Sequence, residues 1–272
     1  MSDGRIPVSL AIQPWYQDHC FGGKAVFPAV ETMLLLASQA AGLYPDIDIR
    51  GMEDVRFAKF LEIPARTTTV PVLIECAVNA DGRVRARLLS RVRFKTVSRI
   101  IEHGEILFSL VGIDSQPVPY IDPAPLSGPV TEVNVEQLYR ELVPFGPNYQ
   151  TLQETLYLSE HGAWGKLKAP QLPPLDSVQE IIGSPFPLDG AFHAACVLGQ
   201  QMVDFVPFPV GFDRRTIFCP TQPGSCYITR VIAVSKTNDE LTFDLGIFDN
   251  GGQVYEMVTG VRMRDVSKGI GK

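Results

Sequence analysis

The sequence has no hydrophobic run long enough to cross a bilayer. Its longest apolar stretches, such as residues 33–37 and 205–212, fall far short of the roughly 20 residues a helical span needs. The first residues, MSDGRIPVSLAIQP, lack the basic region and apolar run of a signal peptide. A basic excess is also missing: 24 Lys and Arg stand against 30 Asp and Glu, for a net charge of -6. That balance excludes a general nucleic-acid binder, which must neutralise phosphates. The five cysteines (Cys20, Cys76, Cys196, Cys219, Cys226) include no C-x-x-C pair and no metal-like spacing with histidine. Such an odd, dispersed set reads as reduced thiols serving as small buried hydrophobes in a cytoplasmic protein. Cys20 adjoins His19, but sequence neighbours usually point apart, which makes them a poor nucleophile and base.

What is present bounds the fold. The chain is 272 residues long and 45% hydrophobic, enough for a sizeable core and too apolar for disorder. Its 22 prolines and 23 glycines exclude one long helical bundle. Residues 116–133, QPVPYIDPAPLSGPVTEV, hold five prolines and no apolar period, and are expected to form an extended, fairly stiff linker. On either side lie an N-terminal part, 1–115, and a C-terminal part, 134–272. Each shows one Ala-rich helix, expected over 28–42 and 188–204, followed by about four strand-like runs. The runs are 51–63, 70–79, 84–96 and 99–110 in the first part. In the second they are 210–219, 225–236, 241–249 and 253–264, offset by about 155 residues. A helix apolar on most sides needs burial all round, which a curved antiparallel sheet supplies. The pattern therefore predicts an α+β double hotdog, two curved sheets each wrapped around its own helix and paired edge to edge.

Along 83–95 the residues alternate, with Arg83, Arg85, Arg87, Arg91, Arg93 and Lys95 on one face. This reads as a solvated face balanced by nearby acids, or as a docking stripe for an acidic carrier protein.

Four histidines carry the chemistry to be weighed. His103, in a strand run, and His161, in a turn, read as exposed or structural. His19 lies in WYQDHCFGGKAVFP, in a loop feeding the first helix, where backbone N–H groups and the helix dipole favour developing negative charge. Asp189, in SPFPLDGAFHAA, opens the second helix, where it reads as an N-cap or as a general acid in an apolar setting. His193 stands one turn further on the same face. The two segments occupy equivalent places in the two halves. Paired halves would bring His19 and Asp189 to one apolar tunnel, as a base and an acid. Removal of water from a β-hydroxyacyl thioester needs that pair: the base takes the α-proton, the acid protonates the leaving hydroxyl, and backbone N–H groups hold the enolate-like oxygen.

These residues resemble the dehydratase domains of modular polyketide synthases and related polyunsaturated-fatty-acid synthases. His19, Gly23 and Pro28 match the signature H-x-x-x-G-x-x-x-x-P, and PLDGAFH supplies the Asp189 and His193 of D-x-x-x-H. LVPFGPNYQTL at 142–152 resembles G-Y-x-Y-G-P-x-F, and FPVGFDRR at 208–215 resembles the segment after the second helix. The resemblance implies a double hotdog with His19 as base and Asp189 as acid. Gly23 would offer its N–H to the thioester carbonyl, Pro28 would hold the histidine loop, and His193 would support Asp189 by a hydrogen bond. Phe145, Gly146 and Tyr149 would contribute to the substrate site. The implied substrate rides on the phosphopantetheine arm of an acyl carrier protein, with no metal or redox cofactor. The chain carries no synthase or reductase domain, so it is expected to act in trans or as a synthase subunit, as monomer or homodimer.

Two departures bear on activity. Phe145 replaces the family's usual tyrosine, and Tyr149 stands where the family has phenylalanine. Ala29 follows Pro28 where glycine is common. Double-bond migration, cyclisation, and non-catalytic binding of an acyl chain or carrier protein stand as alternatives on this scaffold.

Overall fold

The computed structural model describes residues 4–94, 97–109, 118–172 and 177–266. The first half of the chain forms β1 (Ile6–Ala11), the short hairpin β2 (Cys20–Phe21) and β3 (Lys24–Ala25), and helix α1 (Ala29–Leu43). It continues with β4 (Gly51–Arg56), β5 (Thr69–Val78), β6 (Val84–Phe94) and β7 (Val97–Phe108). The second half forms β8 (Thr131–Asn134), α2 (Val135–Glu141), β9 (Leu152–Leu158), β10 (Gly162–Lys168), α3 (Gln179–Ile182) and α4 (Phe186–Gln200). Strands β11 (Pro207–Ile217), β12 (Cys226–Lys236), β13 (Leu241–Phe248) and β14 (Val254–Asp265) complete it.

Twelve strands join in one antiparallel sheet ordered β1-β5-β6-β7-β4-β11-β14-β13-β12-β10-β9-β8. Strands before residue 109 fill one end of it and strands after residue 130 fill the other. They meet where β4 pairs with β11. The architecture is a double hotdog: α1 packs against β5, β6 and β7, α4 packs against β9 to β13, and the two helices touch.

The internal repeat is close in number as well as in pattern. Helices α1 and α4 begin at 29 and 186, β5 and β12 at 69 and 226, β6 and β13 at 84 and 241, and β7 and β14 at 97 and 254. Each pair is 157 residues apart by subtraction. At the seam Val55 pairs with Phe212, its own counterpart at that offset, so the pseudo-dyad passes through this pair. Both side chains are fully buried.

Several elements differ from the sequence-based expectation. Helix α4 starts two residues before Leu188, because Pro187 lacks only an N–H that a first turn leaves unpaired anyway. It ends at Gln200 rather than 204, where the Met202 N–H turns back to the Gly199 carbonyl at 2.8 Å. Asp189 is therefore not an N-cap. Its own N–H already donates to the Pro185 carbonyl at 3.2 Å. The first helix runs over 29–43, with Pro28 as its N-cap. The run 51–63 is a strand only as far as Arg56. Beyond it the Phe57 N–H bonds the Val210 carbonyl and the chain turns to line a cavity.

The proline-rich segment packs on the sheet where it is described. Pro123 accepts the Trp164 indole N–H at 3.1 Å, Ala124 accepts from the Arg230 guanidinium, and Tyr120 bridges to Gln253. Residues 116 and 117 lie outside the described residues, as do Lys95 and the ends of the runs 84–96 and 99–110.

Candidate active site

His19 follows a short 3-10 turn (Pro14–Asp18) and immediately precedes β2. Its Nδ1 lies 3.1 Å from the Val26 carbonyl. A carbonyl can only accept, so Nδ1 carries the proton and Nε2 keeps its lone pair. That Nε2 lies 3.9 Å from Asp189 Oδ1, longer than a hydrogen bond. The imidazole stacks on Phe145 (centroids 4.4 Å apart, planes at 15°) and meets Tyr149 edge-on at 5.0 Å. Burial lowers its pKa below the ordinary 6.5, and the Asp189 carboxyl opposes that shift in part. His19 is a neutral imidazole with a free lone pair.

Asp189 and His193 occupy adjacent turns of α4, which is buried on every side from Phe186 to Gly199. Each of the two side chains is 5% exposed. His193 Nε2 lies 3.0 Å from Asp189 Oδ2, yet neither atom meets hydrogen-bond geometry with any described protein group. Two polar atoms are thus left free at the site. On its other side, His193 Nδ1 is 3.2 Å from the Tyr139 hydroxyl, which itself accepts the Leu152 N–H at 2.9 Å. The backbone donor fills a lone pair of that oxygen, and the hydroxyl hydrogen is free to point at Nδ1. In the tautomer that accepts this hydrogen at Nδ1, the His193 N–H stands on Nε2, beside the carboxyl group.

The two halves are clasped at this point by Asp18. Its carboxylate accepts from the Asn148 backbone N–H at 3.1 Å and from the Asn148 side-chain amide at 2.6 Å. Its carbonyl accepts the Gly146 N–H at 2.7 Å. Hydrogen bonds to a charged carboxylate contribute about 1.5–3 kcal/mol each. Gly146 is required by space: a Cβ there would lie 2.5 Å from Asp18 Cγ. The clasp sets His19, next to Asp18, against Phe145, next to Gly146.

A cavity of about 840 Å³ opens beside these groups. His19, Thr32, Phe57 and His103 line it from the first half, and Phe145, Asp189, Phe192, His193 and Cys196 from the second. Phe21, Phe60 and Phe208 cluster on its wall, with centroids 4.2–6.1 Å apart. The sequence-predicted residues divide accordingly. His19, Asp189, His193 and Phe145 meet on the cavity, while Pro28, Gly146 and Tyr149 stand behind its wall. Tyr149 is fully buried, its hydroxyl has no partner among the described residues, and burial, then nearby Glu31, holds its pKa well above 10. Gly23 is at the exposed tip of the β2–β3 hairpin, and its neighbour Gly22 is the glycine that lines the cavity.

Tyr139 was not singled out by its sequence, since a tyrosine on an amphipathic helix reads as core. Asp18 was visible only as part of a motif. His103 is structural: its two ring nitrogens meet the Lys59 carbonyl at 3.0 Å and Ser90 Oγ at 2.8 Å. His161 is exposed in its turn. Cys20 points its thiol at the Gln17 carbonyl, and burial, then Asp18, raises its pKa, so it is no thiolate.

Comparison with known proteins places the chain in a family and supports the fold. A family profile described as "Polyketide synthase dehydratase N-terminal domain" matches residues 122–272, more than half of the chain. The chain belongs to the polyketide synthase dehydratase family. The matched part holds Asp189 and His193, and His19 lies outside it. Among solved structures, this dehydratase-family chain is similar to a trans-AT polyketide synthase dehydratase domain from Brevibacillus brevis. The TM-score is 0.76 at 18% identity, covering 96% of this chain and 93% of that one. It is also similar to a bifunctional dehydratase-cyclase domain of ambruticin biosynthesis (TM-score 0.67, 18% identity, 96% and 90% covered). A trans-acyltransferase polyketide synthase enoyl-isomerase matches with TM-score 0.64 at 14% identity, covering 96% of this chain and all of the other. At these identities the likeness is one of fold, and the three titles name different activities. A search of curated protein sequences found no match. Among the described residues no helix is long and apolar enough to cross a membrane.

Proposed function

We propose that the protein eliminates water from β-hydroxyacyl thioesters carried on an acyl carrier protein, with His19 as base and Asp189 as acid. The observation that carries this reading is the approach of His19 Nε2 to Asp189 Oδ1, 3.9 Å apart on one largely apolar cavity and contributed by opposite halves. The lone pair on His19 Nε2 takes the α-proton, and the Cα–H electrons form the double bond. The Cβ–O bond breaks, and the proton on Asp189 Oδ1 leaves with the hydroxyl as water. His19 is then cationic and Asp189 anionic, side by side, so return of the proton from Nε2 to Oδ1 restores both. His193 Nε2 stands 3.0 Å from the other carboxyl oxygen, and a small turn of the ring would let it hold that oxygen and keep the acidic proton on the cavity side. An aromatic-lined wall suits an acyl chain. No metal or redox cofactor enters this scheme.

The test is turnover of a β-hydroxyacyl pantetheine thioester, followed by enoyl absorbance and mass loss. Wild type is expected to release water, and His19→Ala is expected to be folded and inactive. Wild-type turnover by that variant would refute the base assignment.

Double-bond migration is a second reading, favoured by Phe145. Where the family usually has a phenol this side chain offers only a ring against His19, and the Tyr149 hydroxyl does not line the cavity. A site with less to hold a substrate hydroxyl suits an enoyl substrate. Product NMR from hydroxyacyl and enoyl thioesters in parallel separates the two.

A further inference from the structure

We propose that a basic ribbon beside the cavity, built from Arg91 and Arg93 of β6 and Arg99 of β7 with Lys59 at its root, is the docking surface for the acidic carrier protein. The inference rests on the carrier-borne substrate proposed above and adds where the carrier binds. Strand β6 pairs with β5 only up to Leu89, opposite Leu73. From Ser90 onward it pairs with β7 alone, so residues 90–94 and 97–101 leave the sheet as a two-stranded ribbon.

The arginines along this stretch differ in their partners, with the half-buried Arg85 forming no ion pair among the described residues. Arg83 is neutralised by Asp81, Glu53 and Asp54, and Arg87 by Glu75 and Glu102. Arg91, Arg93 and Arg99 are exposed and form no ion pair among the described residues. The ribbon is tied to the cavity wall. Arg99 faces Val92 across the pair and so shares a face with Ser90, two residues along, while Arg91 and Arg93 project from the other face, so the ribbon carries cations on both of its sides. Ser90 Oγ bonds His103, which bonds the Lys59 carbonyl, and both His103 and Lys59 line the cavity. Lys59 is likewise exposed and forms no ion pair among the described residues.

The internal repeat supplies a contrast. At the 157-residue offset, Lys59, Arg91, Arg93 and Arg99 correspond to Thr216, Phe248, Asn250 and Glu256. The second half ends its strand at Phe248, turns at once through 249–253 and buries Thr216, Phe248 and Glu256, so the projecting cationic ribbon belongs to the first half alone. A cluster of positive charge on a chain of net charge -6 favours a compact acidic partner over an extended polyanion, which the rest of the surface repels. Charge on an unpaired ribbon edge also discourages aggregation, but either sign serves that purpose.

Reversal of sign therefore separates docking from edge protection. The full-length variant Arg91→Glu/Arg93→Glu/Arg99→Glu is compared with wild type on one β-hydroxyacyl group, presented on a holo-acyl carrier protein of a polyketide synthase and on free pantetheine. The expected result is a loss of about ten-fold or more in kcat/KM with the carrier, mostly in KM, with a flattened salt dependence. The pantetheine substrate should be turned over unchanged. Equal kcat/KM with the carrier, or equal loss on both substrates, would overturn the proposal. If wild type turns over neither substrate, the proposed reaction fails, and docking is read from binding of the holo carrier by fluorescence anisotropy. Weaker binding by the triple variant then supports the surface. Equal binding, no binding by wild type, or equally tight binding of duplex DNA overturns it.

Discussion

Helices α1 and α4 hold the same place in two copies of one architecture, and they differ in what they bring to the cavity. At the 157-residue offset Asp189 corresponds to Thr32 and His193 to Leu36. Thr32 lines the cavity but spends its hydroxyl on the Pro28 carbonyl at 3.2 Å, and Leu36 is fully buried. A hotdog helix is therefore built with neither acid nor imidazole at these two positions, and the acid α1 does bury, Glu31, accepts a hydrogen bond from the Tyr16 hydroxyl at 3.1 Å. Burying a carboxyl and an imidazole with unsatisfied atoms costs free energy that α1 shows to be unnecessary for folding. Under the proposed reaction the polar pair on α4 serves chemistry, with its base supplied by the other half.

The largest effect should follow from making α4 like α1. Asp189→Thr is expected to lower dehydration of a β-hydroxyacyl thioester by about a thousand-fold, while its thermal midpoint holds or rises. Near-normal turnover would end the comparison, because Thr32 and Asp189 would then be interchangeable. Next comes the joint between the halves. Gly146→Ala should displace Asp18 and with it His19, costing about 1–3 kcal/mol of stability and about a hundred-fold in rate. Urea melts together with turnover would show this, and a silent alanine would mean that the clasp positions nothing.

A smaller change is expected from His193→Leu, the residue α1 uses at that turn. Loss of a contact to the acid should reduce kcat by about 10- to 100-fold with little change in KM, measured in a steady-state series. The mildest test is pH. Burial holds the His19 pKa below 6.5, so the base form persists through neutrality and kcat/KM should fall only below that value. Unfolded His19 binds its proton more readily than folded His19. Its contribution to stability is thus present above 6.5 and is lost as pH falls from there through the lower folded value. An acid limb centred above 6.5 would contradict the geometry.

The same two copies show what the sequence could reveal. Strands β5 to β7 and β12 to β14 were legible because one face of each is apolar and the other polar. Strands β1, β8, β9 and β10 were not. β1 carries Pro7 at a sheet edge, and β8 has four residues. β10 is buried on both faces from Gly162 to Gly165, which erases alternation. Residues 57–63 look like a strand because they are apolar, but some of those side chains face a cavity instead of a core. His19, Asp189 and His193 were legible as residue types at telling spacings. The Tyr139 contact to His193 spans 54 positions and needed the fold to bring it together.

The pairing of Val55 with Phe212 bears on inheritance. Two identical chains meeting at such a seam would carry every mutation twice, so an acid gained on one helix would be gained on both. Here the copies are written separately into one chain. A change at residue 189 leaves residue 32 alone, and an arginine added to one hairpin leaves its counterpart free to be glutamate. Fusion across that seam is what lets a symmetric body acquire a division of labour one mutation at a time.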